Sequence, residues 1–140
     1  MSIIGSIVMI NLDYQALFTT EVMQQLLPLT RVDQFFEVLY GGLEEGAYDI
    51  RLVFKRHNPG CNSLEFELEL EERPGKCLAC NLTYGLPQVF SRHPVLNLEG
   101  MALEIENLLQ GKARCRSWSL GRTNPRSQTL HVIPFILTLE

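Results

Sequence analysis

The chain has 140 residues, a length that suits one domain around one core. Apolar residues make up 46% and charged residues 20%, as in an ordinary globular protein. The formal net charge of −4 gives no bulk attraction for nucleic acid or an anionic membrane surface.

The first segment, "SIIGSIVMI", is the longest apolar run. It falls far short of the roughly 20 residues needed to span a bilayer. No basic residue precedes it and no clear small-residue cleavage site follows, so a signal peptide is not expected. Residues 1–12 read as a tail or a short extra strand, and 13–140 as one α+β domain. Met1 and Met9 are alternative starts, because the helical pattern begins only after "NLD".

"TTEVMQQLLP" places Val22, Met23, Leu26 and Leu27 on one side and stops at Pro28. "TRVDQFFEVLYGG" opens on Thr30 as an N-cap, carries Val32, Phe35, Phe36 and Leu39 at helical spacing, and stops at Gly41 and Gly42. Two helices are expected. The period then changes to two. In "AYDIRLVFK", Tyr48, Ile50, Leu52 and Phe54 share a face. In "LEFELELE", Leu64, Phe66, Leu68 and Leu70 alternate with Glu65, Glu67, Glu69 and Glu71. These are strands with one wet face, joined as a hairpin by the turn formers of "RHNPGCNS".

"CLACNLTY" reads as a third strand after the "ERPGK" turn, and "GLPQVFSRHPVLN" as a long loop. Asn97 caps a helix through "LEGMALEIENLLQ", closed by Gly111. Strands follow around Arg114–Leu120 and Thr129–Leu139. Pro134 argues that the last of them lies at an edge or carries a bulge. The expected order is α-α-β-β-β-α-β-β, a roughly five-stranded antiparallel or mixed sheet with the helices on one face.

Cys77 and Cys80 form a CxxC, the spacing of zinc and thiol-redox sites. In a regular strand, residues three apart point to opposite faces and cannot share a metal or a disulfide. The motif works only if Cys77 belongs to the "PGK" turn. His57 and Cys61 are tempting further ligands, but the hairpin carries them to the far end of the second strand, roughly 30 Å away. Cys115, His93 and His131 are left by position alone. A redox site would need the motif at a helix N-terminus, whereas "NLTY" is strand-like. Zinc or thiol chemistry at Cys77 and Cys80 is therefore the alternative reading. The leading one has Cys80 as core filler and Cys77 as a partly exposed thiol.

Residues 112–139 contain Lys112, Arg114, Arg116, Arg122 and Arg126 and no acid. Arg114, Arg116 and Trp118 alternate and would share a face able to bind phosphate or a single-stranded nucleic acid. The simpler reading pairs strand arginines with the glutamates of the second strand. Arg122 and Arg126, in the "GRTNPRS" loop, are the better candidates for a small anionic ligand. Arg92 and His93 stand in the long loop, where His93 has the chemistry of an acid–base group. No glycine-rich phosphate loop, nucleophile elbow, H-E-x-x-H or EF-hand pattern occurs.

The block "RPGKCLACNLTYGLPQVFSRHPVLNL" resembles a small bacterial protein family without assigned activity. The resemblance runs from about Ala47 to Leu98 and carries no catalytic residue across. Members of that family sometimes bear a homeobox-like label, which this sequence contradicts. A homeodomain reads DNA with the third of three helices, and most of this chain after Gly42 has period two.

The expected function is a small cytoplasmic binding or protein-interaction module rather than an enzyme. Its expected partner is a protein or a small anion, with no membrane and no nucleic acid, and its sites are Arg92, His93, Arg122 and Arg126. The last strand is very apolar on both faces, which suggests cover either by the chain's own helices and N-terminal segment or by a second subunit, a homodimer through an edge strand.

Overall fold

A computed structural model describes residues 14–40, 48–73 and 86–140 of the chain. A short helix, α1 (Tyr14–Leu17), leads into α2 (Thr20–Leu26). The Thr19 side chain accepts from the Val22 amide at 3.2 Å and caps α2. Pro28 cannot follow a helical residue without a clash, so α2 stops and α3 (Leu29–Tyr40) starts anew. The carbonyl that opens α3 is that of Pro28, which accepts from Arg31 and Val32. Thr30 therefore lies within the first turn and not at the N-cap. Arg31 reaches back and donates to the Leu26 carbonyl at 2.9 Å, satisfying an acceptor left over at the end of α2.

Strands β1 (Tyr48–Asn58) and β2 (Ser63–Glu72) form the expected antiparallel hairpin. Ile50 faces Leu70, Leu52 faces Leu68 and Phe54 faces Phe66, all buried. A bulge at Lys55 shifts the register after Phe54. The expected third strand, with Cys77 and Cys80, lies outside the described residues. The stretch read as a long loop contains a helix, α4 (Leu86–Arg92). Pro87 is tolerated because a first-turn residue has no intrahelical use for its N–H.

Helix α5 (Leu98–Leu108) starts as expected at Asn97, whose side chain accepts from the Gly100 amide at 3.1 Å. Gly100 is required here. A β-carbon on it would stand 2.3 Å from Asn97 Nδ2. The helix ends through Gln110 and Gly111, both with positive φ. Strand β3 (Cys115–Leu120), the two-residue β4 (Asn124–Pro125) and β5 (Leu130–Leu139) complete the sheet.

The sheet is antiparallel, in the order β1-β2-β5-β3, with β4 also on β5. Thus β5 is internal, and the expectation of an edge position for it is corrected. What Pro134 does instead is local. The Gly121 amide donates to the Pro134 carbonyl at 2.8 Å, but Pro134 has no N–H to return. At that level the neighbouring chain breaks into β3, ending at Leu120, and β4, starting at Asn124.

The core occupies one face of the sheet. Ile50, Leu52, Leu64, Phe66, Leu68, Leu70, Ile133, Phe135 and Leu137 pack there against Phe18, Met23, Val32 and Phe35 from the first helices and Met101 and Ile105 from α5. The opposite face carries the glutamates of β2, and all four have cationic partners. Glu69 and Glu71 meet Arg51 at 3.1 and 3.4 Å, Glu67 meets Lys55 at 3.9 Å and also Arg126, and Glu65 meets Arg56 at 2.7 Å. The glutamates are paired across strands, but their cations come mainly from β1 and not from Arg114 and Arg116, because β3 is separated from β2 by β5.

Candidate functional site

A broad concavity among the described residues follows the outer edge of β1. It is an open groove of about 910 Å³ between that edge and the first helices. Phe18, Met23, Leu27 and Leu29 line the helical side, and Ile50, Leu52, Val53 and Phe54 the strand side. Gln15, Gln24, Arg51 and Glu69 supply polar groups at its margins. The groove exists because α1–α3 cover the core face near β1 while no described strand pairs with the other side of β1. One edge carbonyl, that of Lys55, accepts from Gln15 Nε2 at 3.3 Å.

Leu29 stands on the rim at 62% exposure, the more exposed of two large apolar side chains, with Leu103, that face solvent among the described residues. At the Tyr48 end, Arg73 fixes the helices relative to the strand. It donates to Asp49 at 3.0 Å and to Asp33 of α3 at 3.2 Å. At the other end, the Tyr14 ring lies 4.8 Å from the His57 ring, where burial raises the tyrosine pKa and His57 Nε2 is buried without a hydrogen-bond partner.

The residues expected from the sequence do not come together. His93 directly follows α4, its ring edge-on to Phe35 at 4.7 Å and its Nδ1 accepting from the Val95 amide at 3.2 Å. Burial lowers its pKa, so near neutral pH it is an uncharged packing group. Arg92 is exposed at the end of the same helix. Arg126 lies on the other side of the sheet and is engaged by Glu67, while Arg122 is exposed between β3 and β4. The alternation of Arg114, Arg116 and Trp118 is broken by a bulge between Cys115 and Ser117. Trp118 turns to the core side, edge-on to Phe135 at 5.8 Å, and the two arginines are exposed.

Cys77 and Cys80 lie outside the described residues. Among those that are described, no three His, Cys, Asp or Glu side chains are grouped to hold a metal ion. Cys61 is exposed in the β1–β2 turn, and Cys115 pairs in register with Leu139. Both are at the end of the sheet opposite Arg73, the residue that leads into the CxxC block. Of the candidates left by position, His131 faces Leu70 near the Arg73 end.

A smaller hollow of about 290 Å³ separates α5 from β3 and is lined by Glu99, Leu103, Glu106, Cys115, Arg116 and Trp118. Burial raises the Cys115 pKa, and Glu106 and Glu99 raise it further against the opposing hydrogen bond to Ser117. Its thiol is therefore a poor nucleophile.

No helix among the described residues is long and apolar enough to cross a membrane. No protein-family model, curated protein or solved structure matches the chain. The groove beside β1 went unread in the sequence because it depends on strand order. Its one local sign is Leu29, an apolar residue between Pro28 and the first polar turn of α3.

Proposed function

We propose that the chain is a non-enzymatic protein-interaction module that takes an extended apolar segment of a partner along the open edge of β1. The observation that carries this is the groove itself: about 910 Å³, with apolar side chains on both walls, and running beside an eleven-residue strand that, among the described residues, has a partner strand on one side only. An unpaired edge supplies main-chain donors and acceptors in a row, and alternate side-chain pockets supply selectivity. Leu29 on the rim and Leu52 with Phe54 on the floor are the apolar contacts, and Arg51 and Glu69 are the polar ones. Apolar side chains interspersed with polar ones, as in this lining, suit a segment that carries both main-chain hydrogen bonds and apolar side chains.

The test is a titration of the isotope-labelled full chain with an alternating valine–isoleucine nonapeptide flanked by lysines. Amide shifts should move along Arg51–Lys55 and around Leu29, and Leu29→Glu should weaken binding about tenfold. Shifts confined to other surfaces, or none, would remove the reading.

A further inference from the structure

The open edge of β1 has a definite hydrogen-bonding phase. The Glu72 amide donates to the Thr129 carbonyl at 2.8 Å, and the Leu139 amide to the Asn62 carbonyl at 2.8 Å. Both pairs continue the β2–β5 register, so the even-numbered residues of β2 turn their backbone groups toward β5 and the odd-numbered ones toward β1. Asp49, Arg51 and Val53 stand opposite Glu71, Glu69 and Glu67, and their backbone groups are used there. The N–H and C=O groups of Ile50, Leu52 and Phe54 therefore point away from β2 into the groove, where no described strand pairs with them. Gln15 ends this free run by bonding to the carbonyl of Lys55, the bulge residue.

A free run centred on Leu52 can pair with itself. About a two-fold axis at Leu52, Ile50 exchanges both bonds with the partner's Phe54, and Leu52 with the partner's Leu52. An axis between two residues would set each outward-pointing group against one already bonded to β2.

Charge selects among the axes that remain. One at Arg51 sets Arg51 against itself, and one at Val53 sets Arg51 against Lys55; like charges directly opposite are destabilising. The axis at Leu52 sets Asp49 against Lys55 and Arg51 against Val53. These are the non-hydrogen-bonded pairs, in which side chains approach most closely. Both charged side chains are open to a further partner. Asp49 is 44% exposed beside Arg73, and Lys55 is 42% exposed beside Glu67.

We propose that the occupant of the groove is a second copy of this chain: two β1 strands pair antiparallel about a two-fold axis at Leu52 and join two sheets into one. This rests on the function proposed above, which makes the β1 edge the docking site, and it names the partner. The pairing strand is then β1 and not the last strand, which is internal. The axis sets the two grooves face to face, and the exposed Leu29 of each rim takes cover between the copies.

Sedimentation of the full chain from micromolar to millimolar concentration tests the dimer. The wild type should dimerise. Asp49→Lys or Lys55→Glu alone sets like charges opposite each other and should weaken association about tenfold. An equimolar mixture of the two variants sets opposite charges at both pairs and should restore it. Labelled and unlabelled wild-type chains, mixed, should show contacts between the α-protons of Arg51 and the partner's Val53. A chain that stays monomeric overturns the dimer. If the lysine-flanked nonapeptide still shifts the β1 amides of that monomer, the docking reading stands without it; if not, both fall. A dimer without the Arg51–Val53 contacts is held by another surface and overturns the proposal. A mixture no tighter than either variant alone overturns the pairing of Asp49 with Lys55. Asp49 also holds Arg73, so if a variant fails to fold the wild-type contacts decide.

Discussion

Arg126 binds Glu67 across β5. The arginine follows β4 on one side of that strand and the glutamate belongs to β2 on the other. The guanidinium stem therefore passes over the outer face of β5, where Val132 is only 1% exposed although it points away from the core. Long cationic side chains cover apolar surface in this way. An arginine that reads in sequence as free for an anionic ligand is instead a strap on the sheet.

Arg126→Ala should therefore cost stability. The arginine side chain is 40% exposed and the glutamate 12%, so screening at the arginine holds the ionic part to about 0.5–1 kcal/mol. Arg126→Lys should recover part of that loss. Urea unfolding midpoints check it; an alanine variant as stable as the wild type would mean that the strap contributes nothing.

Phe66 should be the least replaceable side chain of the sheet. It is fully buried, with ring neighbours Phe18, Phe54 and Phe135 at 5.2, 5.2 and 6.1 Å. Phe66→Ala should destabilise by about 3–5 kcal/mol, through lost transfer energy and the cavity left behind. Denaturant unfolding gives the value. Leu29→Glu, on the exposed rim, should change stability by less than about 0.5 kcal/mol in the same assay.

Stability should fall as pH drops from 7 to below 6. Burial lowers the pKa of both His93 and His131 from the ordinary 6.5. In the unfolded chain they take up protons as pH falls through 6.5; in the folded protein they resist until lower pH. Stability is then fully present above the unfolded pKa and is lost toward the folded one. Unfolding free energies between pH 8 and 5.5 should show this slope, and His131→Gln should flatten it. An unchanged slope would place the proton uptake elsewhere.

Thiol reactivity should separate Cys61 from Cys115. Cys61 is exposed in a turn, whereas Cys115 is half-buried beside Glu106, which also accepts from its amide at 2.9 Å. Peptide-resolved alkylation at pH 8 should label Cys61 about tenfold faster, and Glu106→Gln should speed Cys115. Equal rates at the two thiols would contradict the burial of Cys115.

The hairpin was legible in the sequence because β2 and the part of β1 up to Phe54 alternate, and core contacts such as Phe54 with Phe66 follow from that alternation, whereas the bulge at Lys55 was not legible. The cap at Asn97 was legible for a similar local reason. Strand order was not. The apolar character of β5 on both faces has several physical causes, and only the pairing with β2 and β3 selects the internal position. Helix α4 was hidden by Pro87, which reads as loop unless its place in the first turn is known. The bulge after Cys115 was equally invisible. A one-residue insertion reverses every later side chain, so Trp118 moved to the core and took its apparent partnership with the arginines with it.

The site fared worse than the fold for the same reason. Arg92, His93, Arg122 and Arg126 were chosen as polar residues in irregular segments. His93 is fixed by Phe35 and the Val95 amide, and Arg126 by Glu67. The groove, by contrast, is made of residues that look like core, and only the edge of β1, which no described strand pairs with, turns them into surface.

The internal position of β5 also governs how the sheet can be assembled. Every strand that β5 pairs with precedes it in the chain, and Asn62, in the first hairpin turn, binds the carbonyls of Leu139 and Glu140. A growing chain thus makes both halves of the sheet before the piece that joins them. Until β5 emerges, β2 must wait with one side unpaired and its leucines half-covered, a state open to wrong pairings. Removal of the last ten residues would take out the middle of the sheet and leave two fragments, where the same cut in a meander would trim only a border.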